Sequence, residues 1–582
     1  MKPILLFLSF AAALIAADKY TVYESEHFEL ITDGSRGRAQ EILAQFERVR
    51  SFFVKAMAMR DPVLKPRIVV FQNDKDYRDY APSAVAAAHY MPLPQRDYIA
   101  IGAGTGERDK RVAVHEYLHL LVRYTDLDMP LWMNEGVAEL YSNIETVKKV
   151  VRVGTPIPEH VFLIRNDWLP LADLLGSDQD SKFYNRRQHV GPFYGISWAL
   201  VHMLTLDNRY RPGWGTFSQL LSDGIAADAA VKQAYGKTVA ELEADLKAYI
   251  QRNQVNVVNY EVQFDKVDEK LPGRPATAYE WDVATADLLM GVRKYGQAAA
   301  RMEALTNMEP KRPEAWESRA FTAWVMKEEG AEASFRKARE LGSVNPYLGF
   351  WAPGLTKDSK AALAALRATV EKYPQYVEAR IRLAEQLLFQ RETQAAYDTL
   401  KAIGKINRRQ VQLYFPPMIQ AAWFLDKIEE SRVAASQYVK LSVKPAERER
   451  AEKLFAFAMK DRPKAQQQQR AEWVEAPAAV TAPAAERDTG VWTGEIPVAK
   501  TPMLFATGAL VNLECKEPGV LHVKTDAGVS KLVIDDPTKL QMAGAAGGKG
   551  ELTCGAQSRR VKVGYYPREG TDGVARTIEF LP

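Results

Sequence analysis

His115, Glu116, Tyr117, Leu118 and His119 read H-E-x-x-H, and the chain later reads Asn134, Glu135, Gly136, Val137, Ala138, Glu139, with Glu135 sixteen residues beyond His119. Two histidines at this spacing can hold one metal ion, with the glutamate between them as a proton acceptor. A hydrolytic metal site also needs a third protein ligand and an open position. Glu135 is the natural third ligand. Four residues of α-helix turn through about 400° and rise about 6 Å, so His115 and His119 share one face. Glu116 sits one position round, badly placed to ligate the same ion but able to take a proton from a water there.

Helices must position these groups. From Glu107 to Tyr124 there is no proline or glycine, and Val112, His115, Leu118, His119 and Val122 recur at spacings of three and four, which predicts one helix with one inward stripe. Pro130 opens a second, over about Leu131 to Asn143, with Glu135 and Glu139 one turn apart. Packed antiparallel, the two helices bring Glu135 to the histidine pair.

The segments VAVHEYLHLLV and LWMNEGVAELY resemble the gluzincin metallopeptidases, and most closely bacterial peptidase-MA-like proteins joined to tetratricopeptide repeats. The resemblance implies one Zn2+ per chain on His115, His119 and Glu135, Glu116 as general base, and Asn134 and Glu139 behind the ligands. Glu139 also has a physical reason, because a ligating histidine usually donates its other N–H to a carboxylate. In gluzincins the strand before the active-site helix borders the cleft. By that likeness Tyr98, Ile99 and Ala100, in the predicted strand Asp97 to Ala103, would pair with an extended peptide.

A cluster of Tyr184, Arg186, Arg187, His189 and Tyr194 precedes the apolar helix predicted over Gly195 to Leu206. Zincin chemistry passes through an oxyanion that needs a donor besides the metal. Tyr194, by resemblance, is the first candidate and His189 the second.

At 582 residues the chain predicts several domains, and 47% hydrophobic and 26% charged residues are ordinary for folded proteins. A net charge of +4, from 77 basic and 73 acidic residues, gives no argument for nucleic acid or an anionic membrane. Residues 1–17 have the layout of a secretory signal, Ile4 to Ala17 being too short to span a bilayer comfortably, with an uncleaved anchor as the alternative. A periplasmic or secreted protein with no stable membrane span after cleavage is the expectation.

The predicted fold is multidomain. Residues 18–260 form an α+β gluzincin-like domain, with strands in Tyr20 to Thr32 and Arg67 to Gln72 and a helix over Arg36 to Met57. Residues 276–461 form all-α hairpins, since Ala298, Met302 and Leu305 return 33 residues later as Ala331, Phe335 and Ala338, a period resembling tetratricopeptide repeats. Residues 462–490, rich in Gln, Ala and Pro, read as a disordered linker, and 491–582 as a small all-β sandwich or barrel. The two cysteines, Cys515 and Cys554, lie in that module and suggest a disulfide, the alternative being two buried thiols.

Two functions follow. One is an exported zinc metallopeptidase acting on peptides or proteins. The other is a non-catalytic envelope scaffold that binds a protein partner through its repeats. Retention of Glu116 separates them, because a scaffold has no use for a base.

Overall fold

The structure is a computed structural model that describes residues 19–57, 59–83, 86–147, 149–178, 187–252, 256–262, 264, 270–460, 504–515, 519–525, 528–534, 540–543, 552, 554–568 and 571–581. The expected signal segment and linker lie outside the described residues. The chain divides into two compact units, Met1–Gly494 and Glu495–Pro582, so the mixed part and the helical array share one unit.

The first unit is built on strands β1 (Tyr20–Glu24), β2 (Glu29–Thr32), β3 (Arg67–Val70), β4 (Ala88–Pro92) and β5 (Asp97–Ile101). A small antiparallel sheet of β6 (Glu145–Val147), β7 (Val150–Val153) and β8 (Val258–Glu261) stands apart from them. Strand β9 (Gly273–Ala276) completes the main sheet, whose order is β4-β5-β3-β2-β1-β9. The sheet therefore draws in a strand beyond residue 260, immediately ahead of the helical array.

The short strands RIVV and DYIAI are nearly continuous apolar runs because both faces of the sheet are covered. On one face Leu30, Ile68, Tyr90 and Ile99 pack with α1 (Arg36–Met57) and, beyond the short helix α2 (Asp74–Arg78), with α3 (Glu107–Arg123). On the other, Ile31, Val69, Tyr98 and Ala100 pack against Trp281, Ala284 and Leu288 of the array. Each such side chain withdrawn from water contributes about 1.5–3 kcal/mol, so the sheet joins the two parts by burial. Polar groups join them too. Tyr98 Oη donates to Asp287 Oδ2 at 2.5 Å, and Gln95 Nε2 to Asp287 Oδ1 at 2.8 Å.

The array consists of stacked helical hairpins, beginning with Ala278–Gly291 and Tyr295–Met308 and ending at Pro445–Ala458. Four turns between paired helices each place one non-glycine residue in the left-handed region. These are Arg293, Lys327, Arg391 and Asp426, spaced by 34, 64 and 35 residues. The repeat is thus written in turn geometry as well as in small buried residues such as Ala298, Ala338, Ala396 and Ala435, all fully buried. The array also returns to the segment after α3. Arg409 Nη1 donates to Arg123 O, Arg409 Nη2 to Leu127 O at 2.7 Å, and Lys444 Nζ pairs with Asp128 at 2.5 Å.

The second unit contains β10 (Leu504–Glu514), β11 (Gly519–Thr525), β12 (Gly528–Ile534), β13 (Gln541–Ala543), β14 (Gly555–Arg568) and β15 (Thr571–Phe580). The order β12-β11-β10-β14-β15-β13 is closed by a further parallel pairing of β12 with β15, which makes a barrel rather than a sandwich. Leu510, Leu521, Val523, Leu532, Val561 and Val563 fill it. Cys515 and Cys554 form a disulfide with Cα atoms 5.7 Å apart, stapling the end of β10 to the start of β14.

Candidate metal centre

Helix α3 is preceded by Gly106, whose N–H bonds the Asp109 carboxylate, and the loop ahead of it is held by Arg38, which donates to the carbonyls of Phe71, Gly102 and Gly104. α4 (Leu131–Ser142) starts directly after Pro130. Gly136 permits its close approach to the long Arg187–Leu206 helix, because a Cβ there would collide with Ser197 O and Val201. Glu135 is thereby buried against α3.

His115 Nε2 and His119 Nε2 lie 3.0 Å apart. Glu135 Oε2 is 3.2 Å from the first and 3.5 Å from the second. The three residues are buried and their donor atoms fall within 4.8 Å of one another, a set that could hold one ion. The Glu135 carboxylate meets only these two imidazoles and makes no well-formed hydrogen bond. A buried carboxylate left so is costly unless a cation answers it. Two imidazole nitrogens and one carboxylate suit a divalent transition ion with one position to spare, the donor set of hydrolytic zinc sites.

The groups behind the ligands fix their orientation. His119 Nδ1 lies 3.2 Å from Asn134 Oδ1, which can only accept, so that nitrogen carries a proton and Nε2 faces His115 and Glu135. His115 Nδ1 stands 3.4 Å from Glu139 Oε1. Glu139 in turn accepts from Arg111 Nη1 at 2.6 Å and lies 2.8 Å from His160 Nε2. Burial pushes the Glu139 carboxyl up, but His115, His160 and Arg111 outweigh it and hold it at about 2, so it stays an anion.

Glu116 Oε2 accepts the Tyr90 backbone N–H at 2.8 Å, and burial pushes its carboxyl above the usual range. A raised carboxyl is better matched to proton transfer near neutrality than an ordinary one. Tyr194 stands beside the ligands, its ring centroid 6.1 Å from that of His115. Of the remaining predicted cluster, Tyr184 and Arg186 and the side chains of Arg187 and His189 lie outside the described residues.

One placement differs from expectation. Tyr98, Ile99 and Ala100 do not border a cleft, because β5 is hydrogen-bonded to β4 on one side and β3 on the other, and all three are fully buried. The free edge beside Glu116 belongs to β4. A strand apolar on both faces signals a covered interior position, and DYIAI has that pattern. His160 and Arg111 were also missed. They carry no motif, and only the fold brings His160, 21 residues beyond Glu139, to that carboxylate.

No family model matches the chain, and no curated protein does. Among solved structures it is similar to YrrB, a TPR protein with an unusual peptide-binding site, at 18% identity over 30% of this chain and 98% of that one, with a TM-score of 0.28. It is also similar to PilF of Pseudomonas aeruginosa, at 15% identity over 31% of this chain and 88% of that one, with a TM-score of 0.24. A third similarity is to a thermophilic TPR protein of Thermus thermophilus, at 16% identity over 31% of this chain and all of that one (100%), with a TM-score of 0.22. Likeness at this level carries no argument about activity. What stands is a multidomain chain with a TPR-like helical array, and any functional reading of the metal centre rests on its own geometry.

Proposed function

We propose that the chain is a zinc-dependent metallopeptidase in which His115, His119 and Glu135 hold one ion and Glu116 is the general base. The observation that carries this reading is the convergence of three buried donors, with Glu135 facing only the two imidazoles and Glu116 one helical position away. Zinc, when bound, supplies Lewis acidity that polarises a carbonyl and makes a water acidic enough to react near neutral pH. Glu116 takes the proton of the attacking water and delivers it to the leaving amine. Its anchor on Tyr90 N–H keeps it beside the β4 edge of the sheet. Tyr194 donates to the developing oxyanion. Export to an oxidising compartment is part of the proposal, supported by the Cys515–Cys554 bridge.

A second reading, a scaffold that binds a protein or peptide through the helical array, is supported by the regular hairpin turns at Arg293, Lys327, Arg391 and Asp426. It leaves Glu116 without a task. Metal analysis combined with peptide-library cleavage tests both. Glu116→Gln is expected to keep about one zinc per chain while turnover falls by roughly two to four orders of magnitude. Full zinc content in a His115→Ala/His119→Ala variant would sink the ligand assignment. Wild-type protein that cleaves nothing would leave the scaffold.

A further inference from the structure

We infer that an aromatic pocket at the junction of the mixed part and the array receives an aromatic side chain of a polypeptide lying along β4, about three residues from the bond at Glu116. This rests on the proposed peptidase reading and extends it to substrate class. The turn after β4, Pro92 to Pro94, forms one wall of a cavity of about 130 Å³, and Tyr347, Phe350, Trp351 and Tyr376 of the array form the other. A cavity of roughly 150 Å³ lined by apolar groups is known to hold benzene, so the space suits one ring.

The walls are set in place. Phe350 packs edge-on against Trp351 at 4.7 Å and lies 5.4 Å from Tyr376, centroid to centroid. The Arg382 guanidinium, itself buried, sits 4.7 Å from the Phe350 centroid and 5.5 Å from that of Trp351. Rings held this way lose little further freedom when a ligand ring joins them.

The pocket's polar end favours a neutral guest. Asp97 would attract a cation if it stood alone, but its Oδ1 accepts from Tyr90 Oη at 2.7 Å and Arg123 Nη1 at 2.9 Å, and its Oδ2 from Tyr124 Oη at 2.7 Å. Tyr124 Oη and Tyr347 Oη lie 3.3 Å apart beside it. Phenylalanine suits the aromatic walls, and tyrosine can add a hydrogen bond at that end.

Position follows from the strand. Tyr90 N–H touches Glu116, and Leu93, three residues further on, already lines the pocket. β4 ends at Pro92, where Leu93 N–H turns back to Met91 O. A peptide running alongside β4 at about 3.3 Å per residue therefore meets the pocket just past the strand end, on the order of 10 Å from the reacting bond. The array would thus select substrates by completing a subsite, with no catalytic group of its own.

The test uses the full chain carrying Glu116→Gln and fluorescein-labelled peptides in a Gly-Ala-Ser frame, with one Phe moved stepwise along it. Anisotropy is expected to show about tenfold tighter binding at one offset than for the all-Ala control, the effect of burying one ring. Trp351→Ala and, separately, Leu93→Lys should reduce that peptide's affinity to the control's while leaving control binding unchanged. If Trp351→Ala does not fold, Leu93→Lys on the opposite wall decides. Equal affinity at every offset, no binding by any peptide, or a preference that survives both variants would overturn the pocket. Wild-type cleavage of the same set separates the two readings. An offset preference without hydrolysis keeps the pocket and removes the peptidase, whereas hydrolysis without an offset preference does the reverse.

Discussion

The candidate metal centre and the C-terminal barrel fill their interiors in opposite ways. Around α3 and α4 the interior holds His115, His119, Glu135, Glu139 and His160, none more than 7% exposed, and Glu139 is shared by Arg111, His160 and His115. In the barrel the packed cluster is wholly apolar and a covalent bridge closes the fold. A shared polar set fails as a set, because each member's burial is tolerable only while its partners remain. An apolar core with a staple fails by degrees.

The largest expected effect comes from breaking the set. Glu139→Ala leaves buried His160 and half-buried Arg111 without their acceptor, and a loss of about 3 kcal/mol is expected in denaturant unfolding of the first unit. A loss within error of zero would show that the set is not interdependent. The counterpart in the barrel is reduction. A bridge spanning 39 residues is expected to contribute about 3–4 kcal/mol, so reductant should lower the melting transition of the second unit and leave that of the first in place.

A pH titration sharpens the contrast further. His89 is fully buried, with Nδ1 3.0 Å from Tyr77 Oη and no partner for Nε2, and burial lowers it to about 3. The native state therefore holds it neutral. Its contribution is fully present above the unfolded value of about 6.5 and is lost as pH falls from there toward 3, at up to about 1.4 kcal/mol per unit. Between pH 6.5 and 5 the first unit should lose about 2 kcal/mol at this site, and His89→Phe should flatten that slope. An identical slope in the variant would assign the acid sensitivity elsewhere. The smallest effect is a control in which the two regions should agree. Ile99→Val under the site and Ile578→Val in the barrel should each cost about 1 kcal/mol, since both are apolar and fully buried.

The same contrast governs what could be read from sequence. H-E-x-x-H and N-E-G-x-A-E lie on single helices, where spacing fixes the relative direction of side chains, so their convergence was legible as local geometry. Helix limits were legible too, since Arg36–Met57 carries the long amphipathic pattern expected there. What spacing does not encode is which strand ends up at an edge or which distant side chain reaches a carboxylate. Hence β5 was given the role that geometry leaves to β4, while His160 and Arg111 went unnoticed. The barrel's closure by β12 and β15 was illegible for the same reason, being a parallel contact between strands far apart in the chain.

Arg409 has a consequence for the order in which the chain becomes complete. The last carbonyl of α3, Arg123 O, accepts from a side chain 286 residues later in the sequence. While the ribosome makes the protein, the H-E-x-x-H helix emerges early and caps Leu121 O and Val122 O with Tyr124 and Thr125, yet its Arg123 carbonyl receives Arg409 only once the second half of the array has been synthesised and has docked. Domains generally fold as units from the N-terminus during synthesis, and contacts of long sequence separation form late. A nascent chain stopped before Arg409 therefore carries the candidate ligands His115 and His119 on a helix whose last carbonyl is still without that donor, so this contact is timed by the array.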